Sequence, residues 1–273
     1  RDLHRVDRRQ RQMCIRDSLH TNPKHLWREL LTLPVIVSGL GYFVDIYDLI
    51  LFSIVRVQSL KSIGLTGQEL LDTGVFLLNM QMGGMLIGGI IWGILGDKRG
   101  RVKILFGSIF LYSVANIANG MVDSVTAYAL CRFIAGIGLA GELGAGVTLV
   151  LEHLSSEIRG YGTMLIASIG VMGAVLAYYI AEHFDWRNAY YFGGAMGMAL
   201  LFMRLGVLES GMYKRLEAAT ISRGNFLSLF TNRGLFYRYV KSTLIGMPIW
   251  YCVGILITFS PEFAKALNVS GAI

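Results

Sequence analysis

The stretch that decides the fold runs from residue 93 to residue 103 and reads GILGDKRGRVK. This short polar segment lies between two apolar runs, residues 74–95 and 102–121, each about the 20 residues needed to cross a bilayer as a helix. It is too short to form a domain, so the two runs are predicted to form a helical hairpin. Its Lys and Arg side chains predict a cytoplasmic location, because short basic loops stay on that side of the membrane.

The composition indicates a polytopic membrane protein. Of the 273 residues, 54% are hydrophobic and 16% are charged, and the mean hydropathy is +0.54. Globular proteins carry about 25% charged residues. The net charge of +7 does not indicate a nucleic-acid partner, because most basic residues lie in predicted loops without interleaved aromatic residues. The cysteines at 14, 131 and 252 are scattered, so no disulfide framework, metal site or cofactor is expected.

The apolar runs predict an all-α fold with seven transmembrane spans, at residues 30–55, 74–95, 102–121, 125–151, 161–181, 188–208 and 239–260. Basic residues gather on the segments that would share a side with residues 93–103, which predicts a cytoplasmic N-terminus. Arg204, near the inner end of the sixth span, is expected to extend to the cytoplasmic surface. Four tyrosines near the outer boundary are expected in the aromatic belt: Tyr178, Tyr179, Tyr190 and Tyr191.

Residues 1–18 do not fit this pattern. They read RDLHRVDRRQRQMCIRDS and lack the apolar core of a signal peptide. Their end, MCIRDS, resembles translated sequencing-adapter sequence, so these residues are interpreted as a non-native or disordered leader. The alternative is a basic cytoplasmic tail.

The loop at 93–103 resembles the signature loop between helices 2 and 3 of the major facilitator superfamily of transporters. The match rests on Gly93, Asp97, Gly100 and Arg101. A generic basic loop is the alternative. The fourth span, with its RFIAGIG run from Arg132, resembles the metabolite–proton symporter and the sugar and phosphate porter branches. The resemblance implies a gating loop that also includes Glu152 and Arg159 at the end of this span.

The same resemblance implies two six-helix halves, each made of inverted three-helix repeats. Residues 19–208 would be the first half, 209–238 the cytoplasmic loop between the halves, and 239–273 the first helix of the second half. The chain is therefore expected to be a fragment of a protein that is monomeric when complete and lies in the bacterial inner (plasma) membrane.

Four ionisable residues inside the predicted spans are the main site candidates, because such residues are costly in a bilayer and mark functional positions. They are Asp45 and Asp48 in the first span and Arg132 and Glu142 in the fourth. From the middle of its span, Asp45 lies about 6 Å, Asp48 about 10 Å and Arg132 about 9 Å toward the outside. Glu142 lies about 6 Å toward the inside. Arg132 is thus predicted to be level with both aspartates.

These positions predict proton coupling. An aspartate paired with Arg132 stays ionised and can accept a proton when the pair opens, and Asp45, nearer the midplane, is the favoured carrier. Glu142 would be a second proton or substrate position. The alternatives are a salt bridge that only locks spans one and four, a hydrogen-bonded Glu142 without a transport role, and an Asp48 that faces headgroups. Weaker cavity candidates, which otherwise hold helices together through hydrogen bonds, are Asn79, Gln81 and Asn116.

The expected function is secondary active transport of a small polar metabolite, with protons and the lipid bilayer as the other partners. The alternatives are a facilitator or a non-transporting membrane scaffold with a structural Asp–Arg pair. An enzyme is not expected, because the sequence has no H-E-x-x-H, G-x-S-x-G or Walker-type motif.

Overall fold

The computed structural model describes residues 30–99, 101–155, 157–208 and 228–267, and this part of the chain consists of helices and the turns between them, with no strands. The predicted all-α fold is confirmed. Six long helices form a bundle: α1 Leu33–Ser62, α2 Gly67–Arg99, α3 Arg101–Asn119, α4 Val125–His153, α5 Arg159–His183 and α6 Trp186–Leu208. A short helix α7, Ser228–Thr231, precedes α8, Arg233–Tyr251, which continues into a π-helical segment, Cys252–Ile257, and then α9, Ser260–Ala266.

Five of the helical stretches in the described residues are long and apolar enough to cross a membrane: Val35–Ser62, Gly67–Arg99, Val125–Leu151, Arg159–His183 and Arg233–Ile257. The other two predicted spans are α3 and α6, of 19 and 23 residues. At 1.5 Å per residue they extend about 28 and about 34 Å, close to the thickness of a bilayer core. The described chain is thus that of an integral, multi-pass membrane protein.

Several helices are longer than the apolar runs that predicted them. The first helix continues to Ser62 and the second begins at Gly67, because polar residues extend both helices beyond the apolar core. Gly64 and Gly67 form the tight turn between them with φ values of 99° and 63°, a conformation that side chains other than glycine rarely adopt. The eighth helix begins at Arg233, where the Asn232 side chain accepts hydrogen bonds from two backbone amides.

The bundle is arranged around α1 and α4. The helix α1 packs on α5 and α6, and α4 packs on α2 and α3, while α1 and α4 contact each other. The first helix of each three-helix set therefore packs on the second and third helices of the other set. This is the arrangement expected of two inverted repeats.

Glycines bring some of these helices into backbone contact. A Cβ atom at Gly84 or Gly88 of α2 would clash with the backbone of α4, and one at Gly136 of α4 would clash with the backbone of α2 near Gln81. Gly173 of α5 meets the backbone of α1 in the same way. Small residues that allow such contact are typical of helix interfaces in membranes.

The segment after α8 returns to the end of α1. The hydroxyl groups of Ser53 and Thr258 lie 3.0 Å apart. The buried Arg56 pairs with Glu262 and stacks on the ring of Phe259 at 4.8 Å. These contacts attach the π-helical segment and α9 to the six-helix bundle.

Candidate functional site

One face of α1 carries a series of charged and small residues that point into the bundle. Gly41, Asp45 and Asp48 follow one another at helical spacing, and all three are buried. Because a helix rises about 1.5 Å per residue, Asp45 lies about 6 Å beyond Gly41 and about 4.5 Å before Asp48. The neighbouring helices place a different partner at each level of this face.

At the level of Asp48, the structure forms a buried ion pair between α1 and α4. Arg132 Nη1 and Nη2 donate to the two carboxylate oxygens of Asp48 at 3.2 and 3.3 Å. Gln81 of α2 joins both partners: its Nε2 donates to Asp48 Oδ2 at 3.2 Å, and its Oε1 accepts from Arg132 Nη2. A bidentate pair with an added amide is a strongly directed arrangement. Asp48 thus faces Arg132, rather than headgroups.

Aromatic rings surround this Asp48–Arg132 pair. The guanidinium carbon of Arg132 lies 4.7 Å from the centroid of the Phe52 ring and 5.7 Å from that of Tyr190. Tyr190 and Tyr128 share a hydrogen bond of 2.7 Å between their hydroxyl oxygens. Ring faces stabilise a desolvated cation, so this cage offsets part of the cost of burying Arg132.

Tyr190 differs from its expected place in the outer aromatic belt. It is buried in the core, whereas Tyr178, Tyr179 and Tyr191 are exposed. The reason is the rotation of α6, which turns Tyr190 toward α4. The sequence places a residue along a helix, but it does not fix which of several adjacent tyrosines faces inward.

A second buried ion pair lies at the level of Gly41. Arg204 of α6 donates from Nη1 to Glu142 Oε2 at 2.6 Å and from Nη2 to Glu142 Oε1. The same Nη1 also lies 3.5 Å from the carbonyl oxygen of Leu105 in α3. The expectation that Arg204 extends to the cytoplasmic surface is wrong. It is only 4% exposed, because Glu142 offers it a carboxylate inside the bundle.

This Glu142–Arg204 pair packs directly on the backbone of α1. A Cβ atom at Gly41 would lie 2.6 Å from Arg204 Nη2 and would also overlap Glu142. The absence of a side chain at Gly41 therefore makes the space that the pair occupies. A sequence signal for the pair did exist, since Glu142 and Arg204 lie toward the same end of their helices and carry opposite charges.

Asp45 lies between the two ion pairs and belongs to neither. It is 3% exposed, and its Oδ2 has no hydrogen-bond partner among the described residues. The charged groups that act on it are Glu142, Arg204 and Asp48. The cluster as a whole holds three carboxyl groups and two guanidinium groups, so one carboxyl lacks a cationic partner.

The remaining predicted cavity residues have different surroundings. Gln81 contacts the Asp48–Arg132 pair, as described, while Asn79 is exposed on α2. Asn116 is buried on α3 and accepts from Asn119 Nδ2 at 3.5 Å. Among these three, the structure brings only Gln81 to the charged cluster.

The predicted gating-loop residues that the structure describes lie at one end of the bundle, away from the cluster. Gly93 and Asp97 are exposed near the end of α2, and Arg101 begins α3. Arg159 begins α5 and donates from Nε to the carbonyl oxygen of Leu154 at 3.2 Å. Glu152 belongs to the last turn of α4, and Gly100 lies outside the described residues.

A comparison with known families agrees with this architecture. Residues 24–273 match the family model of the Major Facilitator Superfamily. The chain belongs to this superfamily. The xylose transporter XylE from E. coli, solved in an inward-open conformation, has the same fold with a TM-score of 0.60 at 18% identity, covering 84% of this chain and 63% of that one.

Two relatives of the chain are named as transporters, not enzymes. A putative niacin/nicotinamide transporter, NiaP, of Bacillus subtilis is 27% identical over 80% of this chain and 53% of its own length. The niacin transporter NiaP of Acinetobacter baylyi is 30% identical over 65% of this chain and 40% of its own length. The chain thus spans about half the length of these relatives.

Proposed function

We propose that these residues belong to a secondary active transporter that moves a small polar metabolite together with a proton, by alternating access. The observation that carries the proposal is the buried cluster of three carboxyl groups and two arginines between α1, α4 and α6. In the proposed domain organisation, residues 19–208 form one six-helix half, 209–238 link it to the other half, and 239–273 open that second half.

Charge balance supports the proton as the coupling ion. With all five groups ionised, the cluster carries one excess negative charge in a site screened from water, which is costly. A proton on one carboxyl removes this charge. Asp45 is the proposed carrier, because Asp48 and Glu142 are each held by an arginine and Asp45 is not.

The relatives suggest the class of metabolite to test first. Both are named for niacin, whose carboxylate matches the planar fork of an arginine. Here both buried arginines already hold carboxylates in this bidentate manner. A substrate carboxylate could replace Asp48 or Glu142 at its arginine, so that the released acid takes up a proton.

Proteoliposomes that contain the full-length protein carrying these residues would test the proposal. An inward proton gradient should drive accumulation of labelled niacin or another small carboxylate, and an ionophore should abolish it. Asp45→Asn should remove this accumulation but keep exchange of labelled for unlabelled solute, because exchange needs no net proton movement. Asp123→Asn, on an exposed residue, is the matched control.

Accumulation at wild-type rates in Asp45→Asn would instead favour a carrier other than Asp45. Uptake that never exceeds equilibrium in the wild type would favour the facilitator, and no solute flux at all would favour the scaffold.

The proposed orientation places the N-terminus and residues 93–103 in the cytoplasm of a bacterial inner membrane. The clustered basic residues of this loop support it. A cysteine introduced at Lys98 should react only with reagents that reach the cytoplasm, and one at Asp123 only with reagents applied outside. The opposite labelling pattern would reverse the orientation.

A further inference from the structure

We infer that Arg204 is a proton-positioning residue that alternates between Glu142 and Asp45. When Arg204 holds Glu142, the bound proton of the cluster is on Asp45; when Arg204 holds Asp45, the proton is on Glu142. The inference deepens the proposed proton coupling and takes its role in transport from that proposal. Its main test measures the protonation of carboxyl groups in the protein itself and does not require a substrate.

The position of Arg204 makes this exchange possible. Its Nη2 would lie 2.6 Å from a Cβ atom at Gly41, so the guanidinium rests against the face of α1 that carries Asp45. Asp45 lies one helical turn farther along, about 6 Å by helical rise, within the sweep of an arginine side chain. Arg204 Nε is buried and has no hydrogen-bond partner among the described residues. The guanidinium therefore retains a donor that a second carboxylate could use.

The state of Asp45 supplies the second observation. Its Oδ2 is buried between the two ion pairs and has no hydrogen-bond partner in the part of the chain that the structure describes. A buried polar atom without a hydrogen bond is costly, and ionised Asp45 would require a cation or hydrogen-bond donors. Asp48 cannot supply either. Both arginines hold a carboxylate and have a buried Nε without a hydrogen-bond partner in the described part of the chain. Arg204, and not Arg132, is the guanidinium whose charge acts on Asp45.

The groups around Asp45 limit which residue could serve as its cationic partner. The titratable or charged groups that interact with Asp45 are Asp48 and Tyr42 on α1, Tyr112 on α3, Glu142 on α4 and Arg204 on α6. Tyr112 donates to the carbonyl oxygen of Val44 at 3.4 Å and is already satisfied. Among these groups, Arg204 is the one cation.

The exchange conserves charge and atoms. The O–H bond on Asp45 breaks and an O–H bond forms on Glu142, while the positive charge of Arg204 moves from Glu142 to Asp45. One proton is transferred, and the net charge of the cluster does not change. The proton advances along the membrane normal in one direction as the guanidinium moves in the other.

Infrared spectroscopy of the full-length protein in nanodiscs tests the inference, because a protonated carboxyl group has a carbonyl stretch that shifts in D2O. The wild type should show one buried protonated carboxyl that disappears in Asp45→Asn. In Glu142→Gln, the freed Arg204 should pair with Asp45, so this band should be lost although Asp45 is present. In the double variant Glu142→Gln/Arg204→Gln, Asp45 has no cation and the band should return.

The opposite results would overturn the inference. A band that persists unchanged in Glu142→Gln would show that Arg204 does not reach Asp45 and that its pair with Glu142 is structural. A wild type without the band, or a band that Asp45→Asn leaves intact, would show that Asp45 does not carry the proton. Asp123→Asn should leave the band unchanged.

If Glu142→Gln does not fold, Arg204→Gln provides a second test. Arg204→Gln alone should add a second protonated carboxyl, on Glu142, that the double variant lacks; failure to add it contradicts the inference. The transport measurement is separate. If the wild type shows no proton-driven accumulation while the infrared pattern holds, the proposed function fails and the positioning role of Arg204 remains.

Discussion

The two buried ion pairs of this bundle use the same chemistry in different surroundings. Asp48–Arg132 is enclosed by Gln81, Phe52 and Tyr190, which bond to or stack on the charged groups. Glu142–Arg204 instead lies against the bare backbone at Gly41, and among the described residues its further polar contact is the Leu105 carbonyl. The first arginine is held from several sides, and the second is held mainly by its carboxylate. We therefore expect the first pair to stabilise the fold more and the second pair to rearrange more easily.

Removal of the arginines should give the largest difference between the pairs. Arg132→Gln leaves Asp48 buried without a cation and also removes the ring contacts, so unfolding should become easier by about 3–5 kcal/mol. Arg204→Gln should cost less, because it removes the contacts with Glu142 and the Leu105 carbonyl but no ring contacts. Thermal unfolding of the two variants in the same detergent measures this difference. An equal or larger loss in Arg204→Gln would contradict the comparison.

A smaller effect is expected when the space for the second pair is filled. Gly41→Ala places a methyl group against Glu142 and Arg204, and such overpacking costs about 1–3 kcal/mol. The Asp48–Arg132 pair, two turns away, should be unaffected. Gly83→Ala is the matched control, because no atom lies within 4 Å of a Cβ atom there. If melting temperatures show equal losses in both variants, the packing of the pair on Gly41 is not the cause.

The smallest effect tests the aromatic cage alone. Tyr190→Phe removes the 2.7 Å hydrogen bond to Tyr128 but keeps the ring near Arg132, and it should cost about 1 kcal/mol. Tyr190→Leu also removes the ring and should cost more. The same melting assay compares them. Equal losses for the two substitutions would show that the ring face contributes nothing to holding Arg132.

The sequence alone predicts the membrane-helix fold and the depth at which Asp48 and Arg132 lie. Apolar runs and basic loops predict membrane helices because the bilayer sets their length and their flanks. The depth of Asp48 and Arg132 follows from helical rise, which is the same in every helix. The choice between Asp45 and Asp48 as the partner of Arg132 depends on helix rotation and on Gln81, and neither can be read from depth.

The second pair shows where the reasoning from sequence failed. Arg204 lies close to the end of α6, so extension to the surface was the simpler expectation for a long cationic side chain. That expectation ignored Glu142, a carboxylate toward the same face of the membrane on a helix two places earlier in the chain.

The glycine contacts between α2 and α4 have a consequence for how Arg132 can leave Asp48. Gly136 of α4 touches the backbone at Gln81, and Gly84 of α2 touches the backbone at Phe133, so the two helices meet backbone to backbone at these points. The helices α2 and α4 should therefore move together as one rigid unit when the bundle tilts. Gln81 would then be carried along with Arg132, and its amide oxygen would stay on the guanidinium after Asp48 has separated. Arg132 would therefore keep one hydrogen-bond partner after it leaves Asp48, which should lower the barrier to opening this ion pair inside the membrane.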